Sequence, residues 1–248
     1  MSNPFSLEGK KIIITGGASG IGKCTAIEAS NLGAQIILLD INKDNLDITL
    51  KELDGNHNEG LAIDLTDSCA VEDFVRNLDK IDGVVNCAGV GFTKPFKFCG
   101  EEDLKRIMSI NFFSPVLFVQ KLLKNNKIKN NGSIVYMTSI DGTVSGHIGN
   151  SAYSASKGAI MGSVRSQALE LASKGIRVNC VSPARVNTPL LKRDNITEEQ
   201  VAENIKLYPF KRYAEPSEIA FYIIYLLSNA STYTTGSNLI IDGGFTLL

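Results

Sequence analysis

Histidine is scarce in this chain: His57 and His147 are the only two among 248 residues, and they lie far apart. A histidine-based metal site has little to be built from, and no metal is expected. Cysteine is neither dense nor paired. Cys24, Cys69, Cys87, Cys99 and Cys180 are odd in number and scattered, and no C-x-x-C occurs. That pattern fits reduced thiols in a cytoplasmic compartment rather than a disulfide framework. Long apolar runs are missing too: "AFYIIYLL" is among the longest and is too short to cross a bilayer. The opening "MSNPFSLEGK" lacks a basic start followed by a long apolar run, so no signal peptide is read there. Charge of one sign is also lacking, since 25 Lys plus Arg against 26 Asp plus Glu leave a formal net charge of -1. That balance calls for neither a nucleic-acid nor a membrane partner.

What is present is the material of an ordinary globular protein, 44% apolar and 21% charged. The length exceeds an average domain, but α/β folds reach it as a single unit. Strand-like apolar runs alternate with longer amphipathic segments throughout. Strands are expected at 11–15, 34–40, 61–65, 83–89, 132–139, 176–183 and 237–244. Helices are expected at 20–33, closed by Gly33, then at 42–53, 68–78, 101–123, 152–175, closed by Gly175, and 215–229, with Pro216 near its first turn. Pro115 is expected to bend the helix 101–123 or loosen a turn in it. "TEEQ" at 197–200 has capping-box spacing and predicts a short helix inside the proline-interrupted stretch 183–215. Apolar strands alternating with helices imply α/β architecture: one doubly wound parallel sheet of about seven strands with helices on both faces. No repeat, low-complexity segment or linker divides the chain, so 1–248 reads as one domain.

"TGGASGIG", Thr15 to Gly22, follows one expected strand and opens one expected helix. Gly16, Gly20 and Gly22 let the backbone turn sharply and approach a ligand, with Ser19 and Ile21 between them. The helix start then offers free N–H groups to a pyrophosphate. The spacing is G-x-x-x-G-x-G rather than the commoner G-x-G-x-x-G. A glycine run alone also makes ordinary turns, but Asp40 ends the next strand about 20 residues on, which completes a dinucleotide-binding pattern. A carboxylate there accepts hydrogen bonds from both ribose hydroxyls and repels a 2′-phosphate. Ile41, Asn42, Gly17 and Ala18 supply no cation to offset it. NAD(H) is therefore favoured over NADP(H), although a solvated carboxylate at a strand end has the same sequence signature. Asp64 ends the third expected strand and could meet the adenine amino group, with Leu65 lending its N–H. "NCAG", Asn86 to Gly89, ends the fourth as a small-residue turn.

Tyr153 and Lys157 stand at i and i+4 on the helix expected at 152–175, so they share a face. A free phenol has a pKa of ~10 and is a poor base at neutral pH. A lysine cation ~4 Å away, at an effective dielectric of ~20, supplies about 4 kcal/mol and brings a phenol towards neutrality. Such a group can trade a proton with an alcohol oxygen. The pair alone is also what a solvated helix face would show. Ser139 adds to it from the C-terminal end of the strand expected at 132–139, the edge at which open α/β sheets bind ligands. Its hydroxyl could hold a substrate carbonyl, or simply cap a turn.

Taken together, "TGGASGIG", "NCAG" and "YSASK" resemble the short-chain dehydrogenase/reductase family over nearly the whole chain, in particular its 3-oxoacyl-carrier-protein reductase-like group. The resemblance implies a Rossmann-type fold and an enzyme that interconverts a secondary alcohol and a ketone with a nicotinamide coenzyme. Asn111, Ser139, Tyr153 and Lys157 stand in the order of that family's catalytic tetrad. The resemblance makes Tyr153 the acid–base, Lys157 the ribose ligand, Ser139 the substrate anchor and Asn111 the holder of a relay water. Asn86, Ala88 and Gly89 would flank the coenzyme. Within "SPARVNTP", Pro183 and Val186 would pack on the nicotinamide and Thr188 would bond its carboxamide. Cys87 and Ala184 depart from the family's usual Asn and Gly. The C-terminal "IDGG" implies self-association, as a homotetramer or else a dimer. Sugar, polyol and hydroxysteroid dehydrogenases share these motifs, so the substrate stays open. A nucleotide-binding regulator without turnover is the rival of another class, and an epimerase or dehydratase would need a larger C-terminal lobe. Substrate choice is expected in 188–212, a lid, and around 90–100 and 141–149. There Lys192, Arg193, Lys211 and Arg212 are either solvated charges or contacts for an acidic carrier or phosphate.

Overall fold

The computed structural model describes residues 3–191 and 197–248. In chain order its first half holds β1 (Lys11–Thr15), α1 (Gly20–Asn31), β2 (Gln35–Asp40), α2 (Lys43–Leu50), β3 (Glu59–Ala62), α3 (Ser68–Asn77) and β4 (Ile81–Asn86). Then come α4 (Glu101–Met108), α5 (Ser114–Lys124), β5 (Ile128–Met137), α6 (Ser151–Leu171), β6 (Arg177–Pro183), α7 (Glu198–Ile205), α8 (Pro216–Leu227) and β7 (Asn238–Ile241).

The seven strands form one sheet in the order β3-β2-β1-β4-β5-β6-β7, every pair parallel. Strand order reverses between β1 and β4, and a crevice opens outside the carboxyl ends at such a switch. Register sets those ends side by side: Thr15 lies opposite Leu39 and Asn86, Asn86 opposite Tyr136, and Tyr136 opposite Cys180.

The central strands are largely apolar because they feed two cores, whereas the edge strand β3 is exposed along its length. Successive side chains point to opposite faces. Ile13, Ile37, Leu39, Val84, Ile134, Tyr136 and Val178 therefore pack with Phe118 and Leu122 of α5 and Ile160 and Val164 of α6. Ile12, Ile14, Ile36, Leu38, Val85, Val135 and Val181 pack on the other face with Ala26 and Ala29 of α1 and Ile219, Ile223 and Leu227 of α8. Full burial of each such side chain contributes roughly 1.5–3 kcal/mol.

Several bounds shift by a few residues, β4 ending at Asn86 rather than 89 and β7 at Ile241 rather than 244, and three departures have a local cause. The helix expected at 101–123 is two helices joined by a π-helical turn, Ser109–Phe113. Pro115 has no N–H to return to the Asn111 carbonyl, so the ladder widens one turn before it. The third strand lies earlier than 61–65, because Asp64 takes the Thr66 N–H at 2.8 Å and turns the chain away. β5 begins at Ile128 rather than 132, where a register irregularity lets Ile128 pair with Ile81 before Ser133 pairs with Gly83. The capping box at Thr197 is formed with Gln200 and opens α7 as expected.

Candidate active site

Two glycines make the turn after β1 possible. Gly16 adopts φ +68°, and a Cβ on it would lie 2.8 Å from the Ala88 nitrogen. A Cβ on Gly22 would lie 2.2 Å from the Gly16 carbonyl oxygen, closer than atoms can approach. The turn delivers the chain into α1, whose N-cap Ser19 makes no side-chain cap and whose first turn carries no acid. The first amides of that helix are thus left for an anion, and the dipole favours one. Asp40 closes the far side. Its Oδ2 accepts the Ala18 N–H and its Oδ1 the Asn42 N–H, each at 3.0 Å, so the carboxylate is held by backbone on both oxygens. Thr15, which sequence reasoning did not select, accepts the Ala88 N–H at 3.1 Å and joins the ends of β1 and β4. A polar residue ending an apolar strand was the signal for it. A glycine cradle, unspent amides and a fixed carboxylate fit a dinucleotide.

Beyond β4 the chain meets the second group of residues. Asn86 is buried, and its Oδ1 has no hydrogen-bond partner among the described residues. At Gly89 a Cβ would stand 3.1 Å from Asn111 Oδ1 and 3.7 Å from Lys157 Nζ, which brings the end of β4, the π turn and α6 together. The Asn111 side chain is fully used: Oδ1 accepts the Val90 N–H at 2.9 Å, and Nδ2 donates to the Val90 carbonyl at 3.0 Å and to Ser156 Oγ at 3.2 Å. What Asn111 can offer a water is its carbonyl, the one that Pro115 cannot occupy. Ser156, also missed in the sequence, donates to the Tyr153 carbonyl at 2.7 Å and so ties Asn111 to that turn of α6.

Lys157 is 6% exposed and donates from Nζ to the Met137 carbonyl at 2.9 Å. Its Nζ stands 5.6 Å from the centre of the Tyr153 ring. Burial pushes the ammonium down to about 8, with the Cys87 and Cys180 thiols acting against the shift. Because that value lies below the 10.5 of an unfolded lysine, the unfolded chain holds the proton more tightly. The cost, about 3 kcal/mol, is fully present below pH 8 and fades as pH rises through it. Above pH 9 the same two thiols, pushed up to about 12 by burial, ionise first in the unfolded chain and reverse the gain. The urea midpoint of the coenzyme-free protein is therefore expected to climb from pH 7 to pH 9, and Lys157→Met to reduce that climb. A wild-type midpoint that falls across this interval contradicts the buried ammonium.

Ser139 lies two residues past the end of β5. Its Oγ accepts the Asp141 N–H at 3.1 Å, which leaves its own proton to give. Pro183 ends β6, Val186 is buried in the core under α8, and the Thr188 methyl lies 3.3 Å from the Cβ position of Gly20, so this segment crosses to the glycine turn. Ala184 is not among the residues with positive φ, so the family's glycine is not required by the backbone here. Asp64 and Leu65 lie beyond β3 rather than inside it, and Asp64 Oδ1 is taken by the Thr66 N–H and hydroxyl, both at 2.8 Å. Arg212 is engaged by Glu218 through both terminal nitrogens, at 2.6 and 2.7 Å, and Lys211 donates to the Lys206 carbonyl. Lys192 and Arg193 lie outside the described residues. No helix among the described residues is long and apolar enough to cross a membrane.

Comparison with known proteins bears on this geometry. Residues 16–246 match the family described as Enoyl-(Acyl carrier protein) reductase. The chain is 34% identical over 247 residues to the 3-oxoacyl-[acyl-carrier-protein] reductase FabG of Thermotoga maritima, covering 97% of this chain and 99% of that one. It is 32% identical over 246 residues to the dehydrogenase/reductase SDR family member 6 of Rattus norvegicus, again covering 97% and 99%. Among solved structures, the short-chain dehydrogenase/reductase SDR:glucose/ribitol dehydrogenase from Brucella melitensis superposes with a TM-score of 0.90 at 30% identity, over 98% of this chain and 99% of that one.

Proposed function

This chain belongs to the short-chain dehydrogenase/reductase family, and on that premise we propose that it interconverts a secondary alcohol and a ketone with NAD(H), Tyr153 moving the proton. It is an oxidoreductase of alcohol and carbonyl groups, and the family uses NAD(P). The observation that carries the reading is the buried Lys157 ammonium, 5.6 Å from the centre of the Tyr153 ring and 3.7 Å from the Cβ position of Gly89 after β4. A bound nicotinamide coenzyme would supply the hydride acceptor or donor. Tyr153 exchanges the proton of the substrate oxygen, and Lys157 favours the phenolate by its charge and holds the nicotinamide ribose. Ser139 donates its unspent proton to the same oxygen. The Asn111 carbonyl holds a water that connects Lys157 to solvent.

For the coenzyme, Gly16, Ser19, Gly20, Ile21 and Gly22 receive the pyrophosphate and Asp40 takes the ribose hydroxyls. Asp64 and Leu65 meet the adenine. Asn86, Ala88, Gly89, Pro183, Val186 and Thr188 line the nicotinamide end. The chain acts as one domain, and the described parts of 188–212 cover the substrate; Leu190 Cδ1, 3.6 Å from the Cβ position of Gly91, already reaches across to the 90–100 loop. An absorbance screen at the NADH band over ketones, 3-oxoacyl thioesters and sugars, with NADH and NADPH, tests the activity. Silence across the whole panel would sink it.

We also place the working protein in the cytoplasm as a homotetramer. Phe113 in the π turn, Leu117 on α5 and Leu169 on α6 are exposed, while Phe221, Tyr222 and Ile240 are exposed on α8 and the edge strand β7, so each side of the sheet presents an uncovered apolar face. Such faces call for a partner, and two of them permit a dimer of dimers. The solution mass is expected at four times the 26.8 kDa chain. A monomer at micromolar concentration rejects the assembly.

A further inference from the structure

The loop 140–150 joins Ser139 to the start of α6, two residues before Tyr153, and so connects the two. Gly142 is pressed against α6, where a Cβ would come within 1.9 Å of the Ser154 carbonyl oxygen. Next to it is Asp141, a 4% exposed carboxylate. Its Oδ1 meets His147 Nδ1 at 2.5 Å, and its Oδ2 accepts from Asn150 Nδ2 at 2.7 Å. The Asp141 N–H is the group bonded to Ser139 Oγ. Burial pushes the Asp141 carboxyl up, but the hydrogen bonds from His147 and Asn150 outweigh it and hold the carboxyl below the usual carboxylate range. An ionised carboxylate only accepts, so in the neutral form of the His147 ring the single proton sits on Nδ1 and Nε2 is an acceptor. That Nε2 has no hydrogen-bond partner among the described residues.

The ring is also held flat. It stacks on Phe245, with centroids 5.7 Å apart, and Phe245 stacks on Tyr208 at 4.7 Å, itself edge-on to Tyr213 at 5.3 Å. The C-terminal turn Phe245–Leu247 that supplies Phe245 is pinned by Asp242, which accepts the Thr246 N–H and hydroxyl at 2.8 and 2.6 Å. An imidazole fixed by a buried carboxylate, with one acceptor nitrogen unspent, is a positioned recognition element.

We propose that His147 is a substrate-binding residue whose Nε2 accepts a hydrogen bond from a hydroxyl on the carbon next to the reacting carbinol, so that the substrates are vicinal diols and their α-hydroxy ketones, the polyol class. This rests on the alcohol–ketone reading above. A 3-oxoacyl thioester has methylene groups next to its reacting carbon and its nearest other oxygen is a carbonyl two carbons away, so it has no O–H proton for Nε2, while a carboxylate would meet the negative charge of Asp141 behind the ring. In the reaction the carbinol C–H bond breaks, and its hydrogen leaves with both electrons for the oxidised nicotinamide. The carbinol O–H proton goes to Tyr153 and the carbon becomes a ketone. The neighbouring hydroxyl is unchanged and keeps its bond to Nε2.

The test compares kcat/KM for vicinal diols and mono-alcohols of the same carbon chain, butane-2,3-diol with butan-2-ol and cyclohexane-1,2-diol with cyclohexanol. The wild type is expected to prefer the diols. His147→Ala should lower the diol-to-mono-alcohol ratio at least tenfold, and His147→Gln, whose amide oxygen reaches the Nε2 position, should restore part of it. Titration of the same diols into the enzyme–NADH complex, read by coenzyme fluorescence, should show the same loss and recovery without turnover. A ratio unmoved by His147→Ala, or a wild type that prefers mono-alcohols or 3-oxoacyl thioesters, overturns the inference and leaves the alcohol–ketone reading standing. Absence of turnover with every alcohol and carbonyl overturns both.

Discussion

Tyr153→Phe is expected to lower turnover by about 10²–10⁴-fold, the range that positioned acid–base groups contribute, while NADH still binds. The substitution removes one oxygen and keeps the ring that stands 5.6 Å from Lys157 Nζ. The glycine turn, Asp40 and the buried end of β4 are untouched, so coenzyme affinity should hold to within a few fold. What disappears is the group we propose gives and takes the proton on the substrate oxygen. Ser139 is a poor replacement: an aliphatic hydroxyl is a far weaker acid than a phenol, and its oxygen already accepts the Asp141 N–H. Steady-state rates at the NADH band, with coenzyme fluorescence for binding, check both halves. A variant that keeps more than a tenth of the wild-type rate removes Tyr153 from the chemistry.

Coenzyme choice carries the second large effect. Wild-type enzyme is expected to use NADH at least 10²-fold better than NADPH, and Asp40→Ala to bring the two within about tenfold. A unit charge ~4 Å from a carboxylate at an effective dielectric of ~20 costs about 4 kcal/mol, or roughly 10³ in affinity. A free side chain would swing away from a 2′-phosphate. Asp40 cannot do so, because the Ala18 and Asn42 amides hold its two oxygens. The alanine variant should also bind NADH more weakly, since it loses a ribose acceptor and leaves the Ala18 N–H without its partner. Ratios of kcat/KM for the two coenzymes measure the preference, and a wild type that favours NADPH refutes the assignment to Asp40.

The order of strands and helices was legible in the residues, and so was the turn that Gly16 and Gly22 make possible. Buried parallel strands are unbroken apolar runs, and steric limits at a tight turn act on neighbours in the chain. Tyr153 and Lys157 were legible as a pair because helix periodicity alone puts them on one face. Other features depend on partners distant in sequence. Pro115 announced a disturbance in its helix, but the saturation of Asn111 by Val90 and Ser156 required β4 and α6 to meet. Arg212 looked like a free cation until α8 brought Glu218 to it. His147 lay within the 141–149 stretch where substrate choice was expected, but nothing in the sequence joined it to Asp141 or Phe245.

By itself, then, the amino-acid order determined the parallel α/β architecture, the glycine turn and the tyrosine–lysine pair, since each follows from local sterics or from a short repeat in the pattern of apolar residues. Tertiary structure alone decided that Lys157 loses its water, that both oxygens of Asp40 are held, and that Asp141 orients His147 against Phe245. Desolvation and hydrogen-bond geometry belong to groups that only folding brings together, and no spacing along the chain encodes them.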